Sequence, residues 1–141
     1  MPAFGPRSLG LLATVDYDLV RICRRTILVS DFAVICGARG KDAQEEAYRT
    51  GNSNARWPES KHNAIPPGLS LAVDLAPWHK GKPHIRWENE REFVFLAGQM
   101  AQAAHELGVR IRWGGDWDRD NDLYDINKPF DLGHYEIDEG G

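Results

Sequence analysis

The chain has 141 residues, 42% hydrophobic and 27% charged, with a formal net charge of −4. That fits a single domain with a real core. It also excludes a basic nucleic-acid-binding module, and no apolar run is long enough to span a bilayer.

Residues 1–8 carry two prolines and read as a tail. From Asp16 to Leu28, Leu19, Ile22, Cys23 and Ile27 recur at helical spacing, with Leu12 and Val15 leading in. Arg21, Arg24 and Arg25 fall on the opposite, solvated face. Asp31–Cys36 is a β-prone run ended by Gly37. A short helix is expected from Asp42 to Arg49, with Asp42 as N-cap, Glu45 completing a capping box and Gly51 as the stop. Residues 52–69 form a loop rich in Asn, Ser and Pro, and His62 sits in it.

Ser70–Ala76 alternates as a strand. Leu71, Val73 and Leu75 share one face; Ser70, Ala72, Asp74 and Ala76 share the other. Asp74 is flanked on its face only by small residues, which leaves room for an ion, and a buried carboxylate needs a cation, donors or solvent. A solvent-facing aspartate on an edge strand is the competing reading. Lys80–Pro83 is a turn that returns through His84–Trp87. A long amphipathic helix spans Glu88–Leu107, with an apolar stripe of Phe93, Leu96, Ala97, Met100, Ala104 and Leu107, stopped by Gly108. Val109–Trp113 is another strand, followed by a glycine turn. An acidic loop over 114–130 contains Asp116, Asp118, Asp120, Asp122 and Asp125. The final strand is His134–Ile137, with His134 and Glu136 on one side, Tyr135 and Ile137 on the other. Helices and strands mix without strict βαβ alternation, which favours an α+β fold with an antiparallel-rich sheet.

Two imidazoles and one carboxylate, His62, Asp74 and His134, suffice to hold a zinc ion with its fourth position open, as catalytic zinc requires. Asp131, three residues before His134, is placed to take a proton. The competing reading is chance spacing among five histidines and many acids. Cys23 and Cys36 lack metal-site spacing and read as buried reduced thiols. Trp78, Trp113 and Trp117 read as core or cleft-wall aromatics.

Taken in order, Ser60-x-His62, Ala72-x-Asp74-Leu75, Trp113-Gly114-Gly115-Asp116-Trp117 and Asp131-x-x-His134-x-Glu136 resemble the LAS-type zinc peptidases. These comprise D-alanyl-D-alanine carboxypeptidases and dipeptidases, and phage L-alanyl-D-glutamate endopeptidases. The similarity covers residues 9–137 and is greatest to short single-domain phage endolysins. It implies a small single-domain α+β fold of the Hedgehog/D,D-peptidase type, a central antiparallel sheet flanked by helices. It implies His62, Asp74 and His134 as zinc ligands and Asp131 as the carboxylate that activates the attacking water. Arg39, followed by Gln44 in an Arg-x-x-x-x-Gln pattern, would hold substrate or polarise its carbonyl, with Gln44 also at the substrate-binding site, and Glu136 would orient a ligand, shape the substrate site or stand in as the base.

The implied substrate is the peptide stem of bacterial peptidoglycan, cut between L-Ala and D-Glu. Loss of terminal D-Ala on the same scaffold, or a non-enzymatic zinc-stabilised module, are the alternatives. The chain departs from the family's short Ser-x-His-x-x-Gly-x-Ala-x-Asp span. Eleven residues, Asn63 to Val73, separate the first two ligands here, with an insertion over 63–70. His79 or His84 is the alternative ligand that this departure raises. The acidic loop raises calcium as a regulator, against a merely solvated loop, although it lacks the glycine and glutamate of an EF-hand. The N-terminus lacks a signal-peptide pattern. The expectation is a monomer held in the host cytoplasm until a holin releases it to the wall, without stable membrane association.

Overall fold

A computed structural model of the chain describes residues 2–64, 68–123 and 131–140. Helices α1 (Pro6–Leu12) and α2 (Tyr17–Thr26) lead into β1 (Phe32–Cys36) and α3 (Lys41–Arg49). Then follow β2 (Ala72–Pro77), α4 (Glu90–Leu107), β3 (Ile111–Gly114) and β4 (Asp131–Ile137). The four strands form one antiparallel sheet in the order β1-β2-β4-β3. Helices α2 and α4 pack on each other, α4 lies on β2, β3 and β4, and α1 lies on β1.

One face of the sheet makes the core. Val34, Val73, Leu75 and Tyr135 point into it and meet Leu19, Ile22 and Cys23 of α2 and Leu96 and Met100 of α4. The predicted stripe of α4 is the buried face, with Ala103 added to it and Leu107 at its margin. Gly108 closes the helix in the left-handed conformation, φ 71°. The opposite face of β2 and β4 carries Asp74, His134 and Glu136, the pleat's other parity.

Three expectations are corrected. The 1–8 segment is not wholly a tail: α1 begins at Pro6, whose fixed φ suits the first helical turn. Ser8 is buried and its hydroxyl accepts from the Val34 N–H at 3.0 Å, docking α1 on β1. The cap of α3 is Gly40, not Asp42, so no capping box forms. Asp42 instead sits in the first turn, where a negative charge suits the helix dipole. Glu45 is drawn away, accepting from Arg56 and from the Trp57 N–H at 2.9 Å. Finally, β4 starts at Asp131 rather than His134, because Asp131 pairs with Gly114 past an irregularity between Trp113 and Gly114. Of the insertion, residues 65–67 lie outside the described residues, as do 124–130 of the acidic loop, including Asp125.

Gly133 lets β4 approach β2. A Cβ there would stand 2.6 Å from the Leu75 carbonyl oxygen. Backbone cannot yield as a flexible side chain can, so Gly133→Ala should destabilise the chain by about 1–3 kcal/mol, the range for overpacking. Urea unfolding measures it. An unchanged midpoint would show that the close approach is not needed.

Candidate active site

Three ligand atoms converge above the sheet. Asp74 and His134 are directly paired residues of β2 and β4. The Asp74 Oδ1 atom lies 3.1 Å from His134 Nδ1 and 3.1 Å from His62 Nε2, and the two nitrogens are 3.3 Å apart. Four ligands at about 2.0–2.1 Å from a tetrahedral zinc would stand about 3.3–3.4 Å apart, so the spacing matches an ion of that kind.

The outer nitrogens decide the chemistry of this cluster. His62 Nδ1 lies 2.8 Å from the Gly37 carbonyl oxygen, which only accepts, so Nδ1 carries the proton. His134 Nε2 lies 2.9 Å from Glu136 Oε1. Burial alone would raise the Glu136 pKa, but the bond to His134 prevails and holds it below the ordinary range, so it too accepts. Each neutral imidazole therefore turns a bare lone pair toward the Asp74 carboxylate. Three acceptors with no donor among them require a cation, either a metal ion or extra protons.

In the metal-free chain those protons are held tightly. Burial opposes charge on His62, but Asp74 and Cys36 outweigh it and raise its pKa to about 10. Burial likewise opposes charge on His134, while Asp74 and Glu136 raise it to about 9. Burial disfavours the Asp74 carboxylate, yet the two imidazoles hold it far below the ordinary carboxylate range.

Asp131 stands at the side of this cluster, one of its carboxylate oxygens within 4.8 Å of ligand atoms of Asp74 and His134. Burial, then the neighbouring Asp74 charge, raises its pKa, which makes it a stronger base than a free carboxylate. A cleft of about 780 Å³ opens over the group, lined by Arg39, Lys61, His62, Asp74, Asp131 and His134 among others. Trp117 forms part of its wall, its ring 5.4 Å from that of His134.

Local structure sets His62 in place. The Ser60 hydroxyl accepts from the His62 N–H at 3.2 Å, which gives the Ser-x-His spacing its reason. The Arg39 N–H donates to the His62 carbonyl at 2.8 Å, stitching the loop to the end of β1. Gly37 is buried against Thr14 and Leu11, where a Cβ would come within 2.5 Å of the Thr14 hydroxyl oxygen. That contact fixes the carbonyl that orients His62.

Arg39 lines the cleft and donates to Gln44 Oε1 at 2.9 Å. Gln44, expected to bind substrate, is enclosed. It is 0% exposed, its amide donates to Ser53 and the Ala55 carbonyl, and its oxygen also accepts from Asn63 at 3.0 Å. It holds Arg39 in position. Glu136 lines the cleft, but its Oε1 is committed to His134. His79 and His84 are elsewhere: His79 pairs with Glu92 at 2.8 Å, and His84 stacks on Trp78. Neither joins the group formed by His62, Asp74 and His134.

One residue was missed. Cys36, expected to be a buried thiol, is half-buried beside the site, and both cysteines are free. Its sulfur, His62 and Asp74 can present ligand atoms within 4.8 Å of one another. Burial would raise its pKa, but His62 and Arg39 bring it below the ordinary thiol value. The sequence carried no signal for this: an irregularity in the β1–β2 pairing between Val34 and Cys36 sets Cys36 opposite Asp74. Asp116, Asp118 and Asp120 also gather within 4.8 Å on the loop, the last two exposed. Exposed acids commonly gather so without an ion.

Two imidazoles and a carboxylate that can hold a metal ion, beside a further acid in an open cleft, are the equipment of a metal-dependent hydrolase. The family model of the phage L-alanyl-D-glutamate peptidases matches residues 2–137, and the chain belongs to that family. It is 33% identical over 139 residues to the L-alanyl-D-glutamate peptidase of Escherichia phage T5, covering 95% of this chain and 96% of that protein. Among solved structures it resembles the L-Ala D-Glu endopeptidase ChiX of Serratia marcescens, with a TM-score of 0.74 and 27% identity. That match covers 96% of this chain and 90% of ChiX. No helix among the described residues is long and apolar enough to cross a membrane.

The cluster gives opposite pH signatures with and without metal. In the stripped chain, imidazoles raised from 6.5 to about 10 and 9 contribute stability that is full below pH 6.5 and lost as pH rises through 9–10. In the loaded chain protons compete with the ion, so its stabilisation weakens as pH falls. The gap in melting temperature between loaded and stripped protein should widen from about pH 6 to about pH 10. A constant gap would contradict the assignment.

Proposed function

We propose that the chain is a zinc-dependent endolysin that hydrolyses the L-Ala–D-Glu bond in the peptide stem of bacterial peptidoglycan. One observation carries the reading: Asp131 stands beside three converging acceptors at the floor of an open cleft. His62, Asp74 and His134 hold the ion, and a zinc ion bound there supplies Lewis acidity toward a water and the scissile carbonyl. Asp131 accepts the proton of the attacking water and returns it to the leaving amine. Arg39 faces the carbonyl oxygen or a substrate carboxylate, held by Gln44. Glu136 keeps His134 in the tautomer whose free nitrogen faces the ion.

The bond specificity follows the family and both named relatives, which favours this reading over removal of terminal D-Ala. Zinc is preferred over harder cations because two of the three donors are imidazole nitrogens. Calcium at Asp116, Asp118 and Asp120 is a separate regulatory reading, and unchanged activity across a calcium titration would dismiss it.

Asp131→Asn should lower kcat by about 10²–10⁴-fold while zinc still binds. His134→Ala should lose both. Mass spectrometry of digested walls should show stem peptides with a new N-terminal D-Glu. A fully active Asp131→Asn would point to a non-enzymatic module or another base, and release of D-Ala alone to a carboxypeptidase.

A further inference from the structure

The cleft does not end at Asp131. Beyond Asp74 and Asp131 a second hollow of about 280 Å³ opens, walled by Ile35, Phe93, Leu132 and Trp87, with Glu90 beside them. Ile35 and Trp87 also line a third hollow, of about 670 Å³, that runs past Trp78 and Ile85. The first two share Asp74 and Asp131 in their linings, and the last two share Ile35 and Trp87.

Their chemistry changes along the way. The His62 end presents Arg39 and Lys61 among serine and asparagine side chains. Lys61 is already paired with Glu139, whereas among the described residues Arg39 bonds to Gln44 and Cys36 rather than to a carboxylate. The far end adds aliphatic and aromatic side chains, Ile35, Trp78, Ile85 and Trp87, with Arg7 and Asp31 among them. Trp87 is 58% exposed, and Phe93 backs its ring at 6.0 Å between centroids with planes 27° apart. A single exposed tryptophan is unremarkable. This one is braced by a second ring and lines two hollows, one of which shares Asp74 and Asp131 with the catalytic cleft.

The substrate has the same polarity, if the peptidase reading above holds, and the inference rests on that reading. On the amine side of the scissile bond, D-glutamate carries a carboxylate beyond the one that continues the stem. On the acyl side stand the alanine methyl, the lactyl ether and then a sugar ring. A carboxylate is matched by a guanidinium without an acidic partner. The C–H face of a sugar is matched by an indole surface, and its hydroxyls by an acid such as Glu90. We propose that Trp87 forms a glycan subsite. The stem then lies with D-glutamate toward Arg39 and its sugar-bearing end across Asp131 on Trp87.

The test compares two soluble substrates that share one stem peptide. In one, N-acetylmuramic acid caps L-alanine; in the other, an acetyl group does. For zinc-loaded wild type, the sugar-bearing substrate should have the higher kcat/KM. Trp87→Ala should lower the ratio of the two kcat/KM values by about three- to tenfold, the size of one aromatic stacking contact. Trp87→Phe should restore most of it, with melting temperatures showing both variants folded. Equal losses on both substrates, or an unchanged ratio, would overturn the subsite while leaving the peptidase reading intact. A folded wild type that cleaves neither substrate would overturn both.

Discussion

Asp74, His62 and His134 turn three lone-pair-bearing atoms toward one point, at separations of 3.1 to 3.3 Å. Left without a positive charge at its centre, such a cluster would be strongly unfavourable in a buried setting. Much of the structure serves to hold it together. The β2–β4 register puts Asp74 opposite His134, and Gly133 lets the strands close. Glu136 and the Gly37 carbonyl take the outer imidazole protons. Each of these contacts fixes a direction as well as a position, which is what a metal ligand needs.

A second layer ties the loop to the sheet. Gln44 is the hub: buried, with its amide and oxygen engaged by Ser53, Ala55, Asn63 and Arg39. Through Asn63 and Arg39 it joins α3, the His62 loop and the end of β1. A buried polar network of this kind is favourable only when its members are satisfied. Loss of the Gln44 amide would therefore loosen both His62 and the cation of the cleft. The long span from His62 to Asp74 is compatible with this design, because Asn63 and Ser70 at its two ends are both held by hydrogen bonds.

The periodic elements were legible in the sequence because burial has a period. The α4 stripe and the alternation of Val73 and Leu75 against Asp74 name the core face and the site face. The convergence of the three candidate ligand positions was foreshadowed by their flanks: small residues around Asp74, and acids spaced around His134. Chain ends of elements were not. Pro6 reads as a breaker until α1 docks on β1, and Asp42 reads as a cap until Gly40 takes that place. Gln44 reads as a cleft residue from its pattern, and only tertiary packing shows that it is enclosed. Cys36 was hidden for a similar reason. An irregularity in a strand pairing, which no periodicity announces, turns it toward Asp74.

Cys36 also makes the account testable at its centre. The catalytic reading needs a zinc held by nitrogen and oxygen, with a position left open beside Asp131. A sulfur ligand would close that position and make the site structural. X-ray absorption spectroscopy at the zinc edge, on the chain loaded with one equivalent, separates the two directly. An open catalytic site gives only nitrogen and oxygen neighbours at about 2.0–2.1 Å. A sulfur shell at about 2.3 Å, lost in Cys36→Ala, would contradict it.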